Sequence, residues 1–98
     1  MARFEILELQ DGALVLDCQA DLLSRLRTRF VVPLLPFADA SIAADRLNPL
    51  LDLAGGRFVM VTQAAATIEV REIKNVVGSA RKFESEIMNA LDMLLTGY

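Results

Sequence analysis

Leu50–Thr62, LLDLAGGRFVMVT, sets a double glycine between two short apolar runs, and how these thirteen positions fold decides the class of the whole chain. Gly55-Gly56 is a clear turn signal. After them, Arg57–Thr62 is the strongest strand signal in the sequence, rich in aromatic and β-branched residues. Before them, Leu50–Leu53 reads as a short strand, and Asn48-Pro49 ends anything helical upstream of it. The segment is therefore a β-hairpin, and the chain is expected to be built on antiparallel sheet. Neither a P-loop nor a dinucleotide fingerprint surrounds the glycines, so they make a turn and not a phosphate cradle.

The same logic extends towards the N-terminus. Phe4–Leu9 and Ala13–Cys18 flank Asp11-Gly12 and form another expected hairpin, with Leu14, Leu16 and Cys18 on one face. Thr28–Leu34 is a further β-rich run. Its Pro33 has no N–H for a ladder, which places the strand at an edge or a bulge. Ala38–Leu47 is Ala-rich and suits one or two helical turns. Downstream, Thr67–Ile73 alternates Ile68 and Val70 against Glu69 and Arg71, as a half-exposed strand does. From Ser79 the period changes to 3.6. Phe83, Ile87, Ala90, Leu91 and Leu94 fall on one stripe, predicting an amphipathic helix capped by Ser79, opposed at its start by Arg81 and Lys82, and stopped by Gly97.

With 98 residues the chain makes one domain, residues 1–98, and can bury only about two-thirds of its unfolded surface. A hydrophobic fraction of 54% and a mean hydropathy of +0.41 exclude disorder. They exceed what one small core needs, so part of the apolar surface should face a partner, most simply a second copy. The net charge of −3 argues against a broad nucleic-acid-binding surface. Histidine is absent, which removes the commonest proton shuttle, zinc ligand and partner of a nucleophile. The single cysteine, Cys18, lies among Leu14, Val15 and Leu16 and reads as a small buried hydrophobe. No secretory signal is expected at the N-terminus. The longest apolar run, Phe30–Ala38, is broken by Pro33 and Pro36 and is too short to span a bilayer. A cytoplasmic location follows, with no membrane association and no cofactor or metal.

Two alternating sets invite a closer reading. Arg25, Arg27 and Arg29 would form a basic strip on one side of an extended backbone, ordinarily a solvated edge. Asp17, Gln19 and Asp21 make a poor metal site without histidine or further carboxylates. They are expected to organise a loop by accepting backbone N–H groups. On the helix, Met88 and Leu95 widen the apolar stripe at one edge, and Asp92 lies opposite it.

Taken in order, these segments resemble the CcdB family, the toxins of toxin–antitoxin modules that poison DNA gyrase. LVLDCQADLL (Leu14–Leu23) is similar to the family's V-D-x-Q-x-D followed by two aliphatics, and TRFVVPL (Thr28–Leu34) to its V-I-P-L strand. LNPLLDLAGGRFVMVTQAAA (Leu47–Ala66) and SARKFESEIMNALDMLLTGY (Ser79–Tyr98) continue the match. The resemblance implies an α+β fold: an SH3-like antiparallel β-barrel with a small extra sheet and a C-terminal α-helix, shared with the Kid toxins and assembled as a homodimer. It implies a protein that is not an enzyme, binds the gyrase A subunit, traps gyrase on cleaved DNA and meets DNA only indirectly. A CcdA-like antitoxin would neutralise it.

The gyrase-binding positions carry over to Leu22, Leu23, Asp92, Leu95, Thr96, Gly97 and Tyr98. The family's terminal Trp-Gly-Ile stands here as Thr96, Gly97 and Tyr98, so the indole is missing and Asp92 replaces a neutral asparagine. Tyr98 is the expected aromatic substitute. Two alternatives stand beside this one: a non-toxic homologue that keeps dimerisation and antitoxin binding, and an endoribonuclease of the MazF/Kid type using the strip Arg25, Arg27 and Arg29.

Overall fold

The glycine hairpin forms as its sequence demands. β4 (Leu50–Leu53) and β5 (Gly56–Met60) pair antiparallel with Leu50 opposite Val59 and Leu53 opposite Gly56, and Gly56 has φ +125°. The coordinates are a computed structural model that describes residues 2–97. The Asp11-Gly12 hairpin is equally direct: β1 (Glu5–Leu9) pairs β2 (Leu14–Asp17). Gly12 takes φ +90°, and Asp11 Oδ1 accepts from Ala13 N at 2.9 Å.

The strand that binds these hairpins together is β3 (Thr28–Pro36). On one side it pairs with β2. On the other it pairs first with β6 (Ala66–Glu69) and then, from Leu34, with β5. β3 is therefore central, contrary to the edge or bulge that Pro33 suggested. Pro33 faces Val15 across the ladder, and its carbonyl accepts from Val61 N at 2.9 Å on the opposite side. Its N-terminal atom faces that same side, where β6 has stopped and β5 is about to begin. The missing N–H thus falls in the gap between two partner strands, where no ladder bond is required.

With β7 (Ile73–Ser79), the seven strands of the described residues run in the order β4-β5-β3-β2-β1-β7, with β6 attached to β3. β7 was not foreseen in the sequence, and the expected strand Thr67–Ile73 is divided instead. Glu69 and Glu72 form a reciprocal capping box around a 3₁₀ turn at Val70–Glu72, and this ends β6. Over Ala38–Leu47 the structure has a single 3₁₀ turn, Phe37–Asp39, in place of the helical turns expected there.

The curled sheet buries a different cluster on each face. One holds Leu7, Val15 and Val31 beneath Ile68 and Ile73. The other holds Ile6, Leu16, Val32, Leu34, Leu51 and Met60 with Ile87, Ala90 and Leu91 of helix α1 (Glu84–Thr96). The helix begins five residues after Ser79, which is the last residue of β7. Ser79 accepts from Arg81 N at 3.2 Å but caps no helix. Arg81 and Lys82 lie in the preceding 3₁₀ turn, and the first helical turn instead carries Glu84 and Glu86, the sign its dipole favours. Gly97 closes the helix at φ +82°, with its N–H on the Met93 carbonyl. Leu94, expected on the buried stripe, is 39% exposed. No helix of the described residues is long and apolar enough to cross a membrane.

Cys18 is buried in the helix-side core. Burial pushes its thiol from 9.0 up to about 12, with the Asp17 charge raising it further and Arg3 opposing. The folded protein therefore keeps a proton that the unfolded chain releases above pH 9. This contribution is complete below that pH and is lost at about 1.4 kcal/mol per pH unit as pH rises towards 12. Unfolding in urea between pH 8 and 11 is expected to show a steeper alkaline loss of stability for the native chain than for Cys18→Ala. Parallel curves would refute the assignment.

Candidate functional site

Asp17, Gln19 and Asp21 occupy the exit from β2, and each accepts a backbone N–H as expected. Asp17 Oδ1 accepts from Gln19 N at 3.1 Å, Gln19 Oε1 from Phe30 N at 3.0 Å, and Asp21 Oδ1 from Arg3 N at 2.8 Å. The basic strip does not exist. Arg29 is 0% exposed, with Nε 2.9 Å and Nη2 2.6 Å from Asp17 Oδ2. Only Arg25 and Arg27 of the three are exposed. Nη1 of Arg29 is buried and has no hydrogen-bond partner among the described residues. A guanidinium in that position is held by its carboxylate and by little else.

This buried pair stands at the base of the turn carrying Leu22 and Leu23. The chain makes a 3₁₀ turn over Asp21–Leu23 with no buried residue. Leu22 is 90% exposed and Leu23 48%. Gln19 Nε2 donates to the Leu23 carbonyl at 2.9 Å.

On the helix, Met88, Asp92 and Leu95 follow at the i, i+4, i+7 spacing of a single face. Leu95 is 73% exposed. Thr96 donates its hydroxyl to the Asp92 carbonyl at 2.7 Å, so it is engaged within the helix. Gly97 turns the chain out of the helix in its left-handed conformation. Tyr98 lies outside the described residues.

One residue that the sequence did not single out connects the turn to the helix. Arg3 donates its backbone N–H to Asp21, and its Nη2 donates to Met88 Sδ at 2.9 Å. The guanidinium also lies over the Phe4 ring, 4.6 Å from its centroid. Through Arg3 the turn residues and the Met88–Leu95 face of the helix are tied to one side of the molecule. No direct hydrogen bond joins Leu22 or Leu23 to the helix among the described residues. A lone arginine near the N-terminus carries no motif, and only the fold reveals its role.

Exposed leucines thus stand on the turn after β2 and, beside the Asp92 carboxylate, on the last turns of the packed helix. A solved structure described as "Crystal structure of Mtb toxin" shares the fold at a TM-score of 0.72 and 15% identity, over 88% of this chain and 94% of that one. The family described as CcdB protein matches residues 4–97, and the chain belongs to the CcdB family. Among curated proteins none matches.

Proposed function

We propose that the chain is the toxin of a type II toxin–antitoxin module that, as a cytoplasmic homodimer, binds the gyrase A subunit and traps the gyrase–DNA cleavage complex. A CcdA-like antitoxin removes it. The protein performs no chemistry itself. The observation that carries this reading is the exposure of Leu22 and Leu95, at 90% and 73%. They are the two most exposed large apolar side chains among the described residues and stand at positions the family uses for gyrase. Exposed leucines at a contact site gain their energy when a partner covers them.

The test is inhibition of supercoiling, and accumulation of cleaved DNA, by purified protein at micromolar concentration or below. Leu22→Ala with Leu95→Ala is expected to raise the inhibitory concentration by more than tenfold, at roughly 1–2 kcal/mol per buried leucine. Tyr98→Ala should weaken inhibition if Tyr98 supplies the aromatic area in place of the missing indole. Unchanged supercoiling inhibition in these variants would count against the assigned contacts.

The engagement of the Thr96 hydroxyl within the helix favours a second reading, a homologue that retains antitoxin binding without gyrase poisoning. Growth arrest of a gyrase-sensitive host by the native chain decides for the toxin. Arrest only after Thr96→Trp decides for the homologue. The ribonuclease reading keeps only Arg25 and Arg27 as phosphate contacts, because Arg29 is sealed against Asp17.

A further inference from the structure

The turn that presents Leu22 and Leu23 has no apolar anchor, since none of its residues is buried. A surface turn of this kind ordinarily samples several conformations. Here its carbonyl at Leu23 receives two donors, Gln19 Nε2 at 2.9 Å and Leu26 N at 3.2 Å. Gln19 is 8% exposed, and both ends of its carboxamide are used: Oε1 accepts from the β3 amide of Phe30, and Nε2 reaches the turn. The two partners, one a donor and one an acceptor, allow only one orientation of the amide. Behind it, Asp17 holds the Gln19 backbone, and Arg29 holds Asp17.

We infer that Gln19 is a positioning residue, which transmits the rigidity of the β2–β3 ladder through its side chain to the Leu23 carbonyl and so fixes the presentation of Leu22 and Leu23 to the partner. The inference rests on the proposal that these leucines contact the gyrase A subunit, and it adds the device that holds them ready. A turn ordered in advance loses less conformational freedom on binding, so the bonds of Gln19 should appear in affinity although the residue touches no partner.

Gln19→Met preserves length and removes both hydrogen bonds. Amide exchange in this variant is expected to accelerate at least about tenfold at Leu23, Ser24 and Leu26, while Leu16 and Val32 in the ladder remain protected. Affinity for the isolated gyrase A subunit should fall roughly tenfold. In the background of Leu22→Ala with Leu23→Ala, the same Gln19 change should cost less than about twofold, because Gln19 acts only through those two contacts. Additive losses, or unchanged exchange in the turn, would overturn the inference.

Should Gln19→Met fail to fold, Gln19→Glu serves in its place. It keeps an acceptor for Phe30 N while setting an oxygen against the Leu23 carbonyl, and the turn amides should still lose protection. If Leu22→Ala alone leaves gyrase binding unchanged, the contact proposal falls, and amide exchange still decides whether Gln19 orders the turn.

Discussion

Asp17→Ala is expected to destabilise the protein by about 3–5 kcal/mol, the cost of leaving a buried charge without its counter-ion. Both side chains of the Asp17–Arg29 pair are 0% exposed, and Nη1 of Arg29 already lacks a partner among the described residues. Removing the carboxylate leaves the whole guanidinium unsolvated and uncompensated. A small domain stabilised by roughly 5–15 kcal/mol would lose a large share of its margin. Urea unfolding followed by circular dichroism measures this directly, and a loss below about 1 kcal/mol would show that Asp17 is not what holds Arg29. Replacing both residues together by Leu and Met should be far milder, because the desolvation cost of the two charges disappears along with their attraction.

Ile87→Ala carries the next largest expected effect, about 2–5 kcal/mol, for a fully buried side chain replaced by a cavity. Ile87 is 0% exposed, within the cluster that joins α1 to the sheet. The helix has few other supports. It has no side-chain cap at its start and no basic residue in its last turn, and its thirteen residues are too few for an isolated helix to persist in water. Packing must therefore supply nearly all its order. The expected result is a lower urea midpoint with early loss of helical signal at 222 nm. A change within about 0.5 kcal/mol would mean that the helix is held by something other than its apolar stripe. Because Asp92 and Leu95 lie on this same element, any release of the helix also releases its part of the proposed contact surface.

Both hairpins were legible because Asp11-Gly12 and Gly55-Gly56 impose local backbone geometries that tertiary contacts need only accept. The helix was legible from the period of its buried stripe, except at its ends, where Phe83 and Leu94 were assigned by spacing alone. β7 was invisible for a physical reason. Apart from Ile73 its residues are exposed, with Val76 and Val77 adjacent and no alternation, and its strand conformation comes from pairing with β1. Pro33 misled because its consequence depends on which strand lies across from its nitrogen, a property of topology. Arg29 misled for the same reason: alternation placed the three arginines on one face but could not say that the face is interior at Arg29. The exposed leucines entered through resemblance to a family, whereas the Gln19 and Arg3 bonds behind them appear only once β2, β3 and the N-terminal segment are brought together.

The partnership of β1 with β7 also bears on how quickly the molecule becomes itself. Glu5 is paired with Ser79 and Leu9 with Ile73, so a strand near the start of the chain waits for one near its end. Closing so long a loop is entropically slow, and topologies dominated by such distant pairings fold in milliseconds to seconds. During synthesis β1 can form its hairpin with β2 early, yet its other edge stays open until β7 leaves the ribosome. Helix α1, which carries Asp92 and Leu95, follows β7 in the chain and packs through Ile87, Ala90 and Leu91 onto residues of β1 to β5. The β1–β7 pairing thus cannot form until residues 73–79 have been made, so the outer edge of β1 is the part of the ladder left open longest.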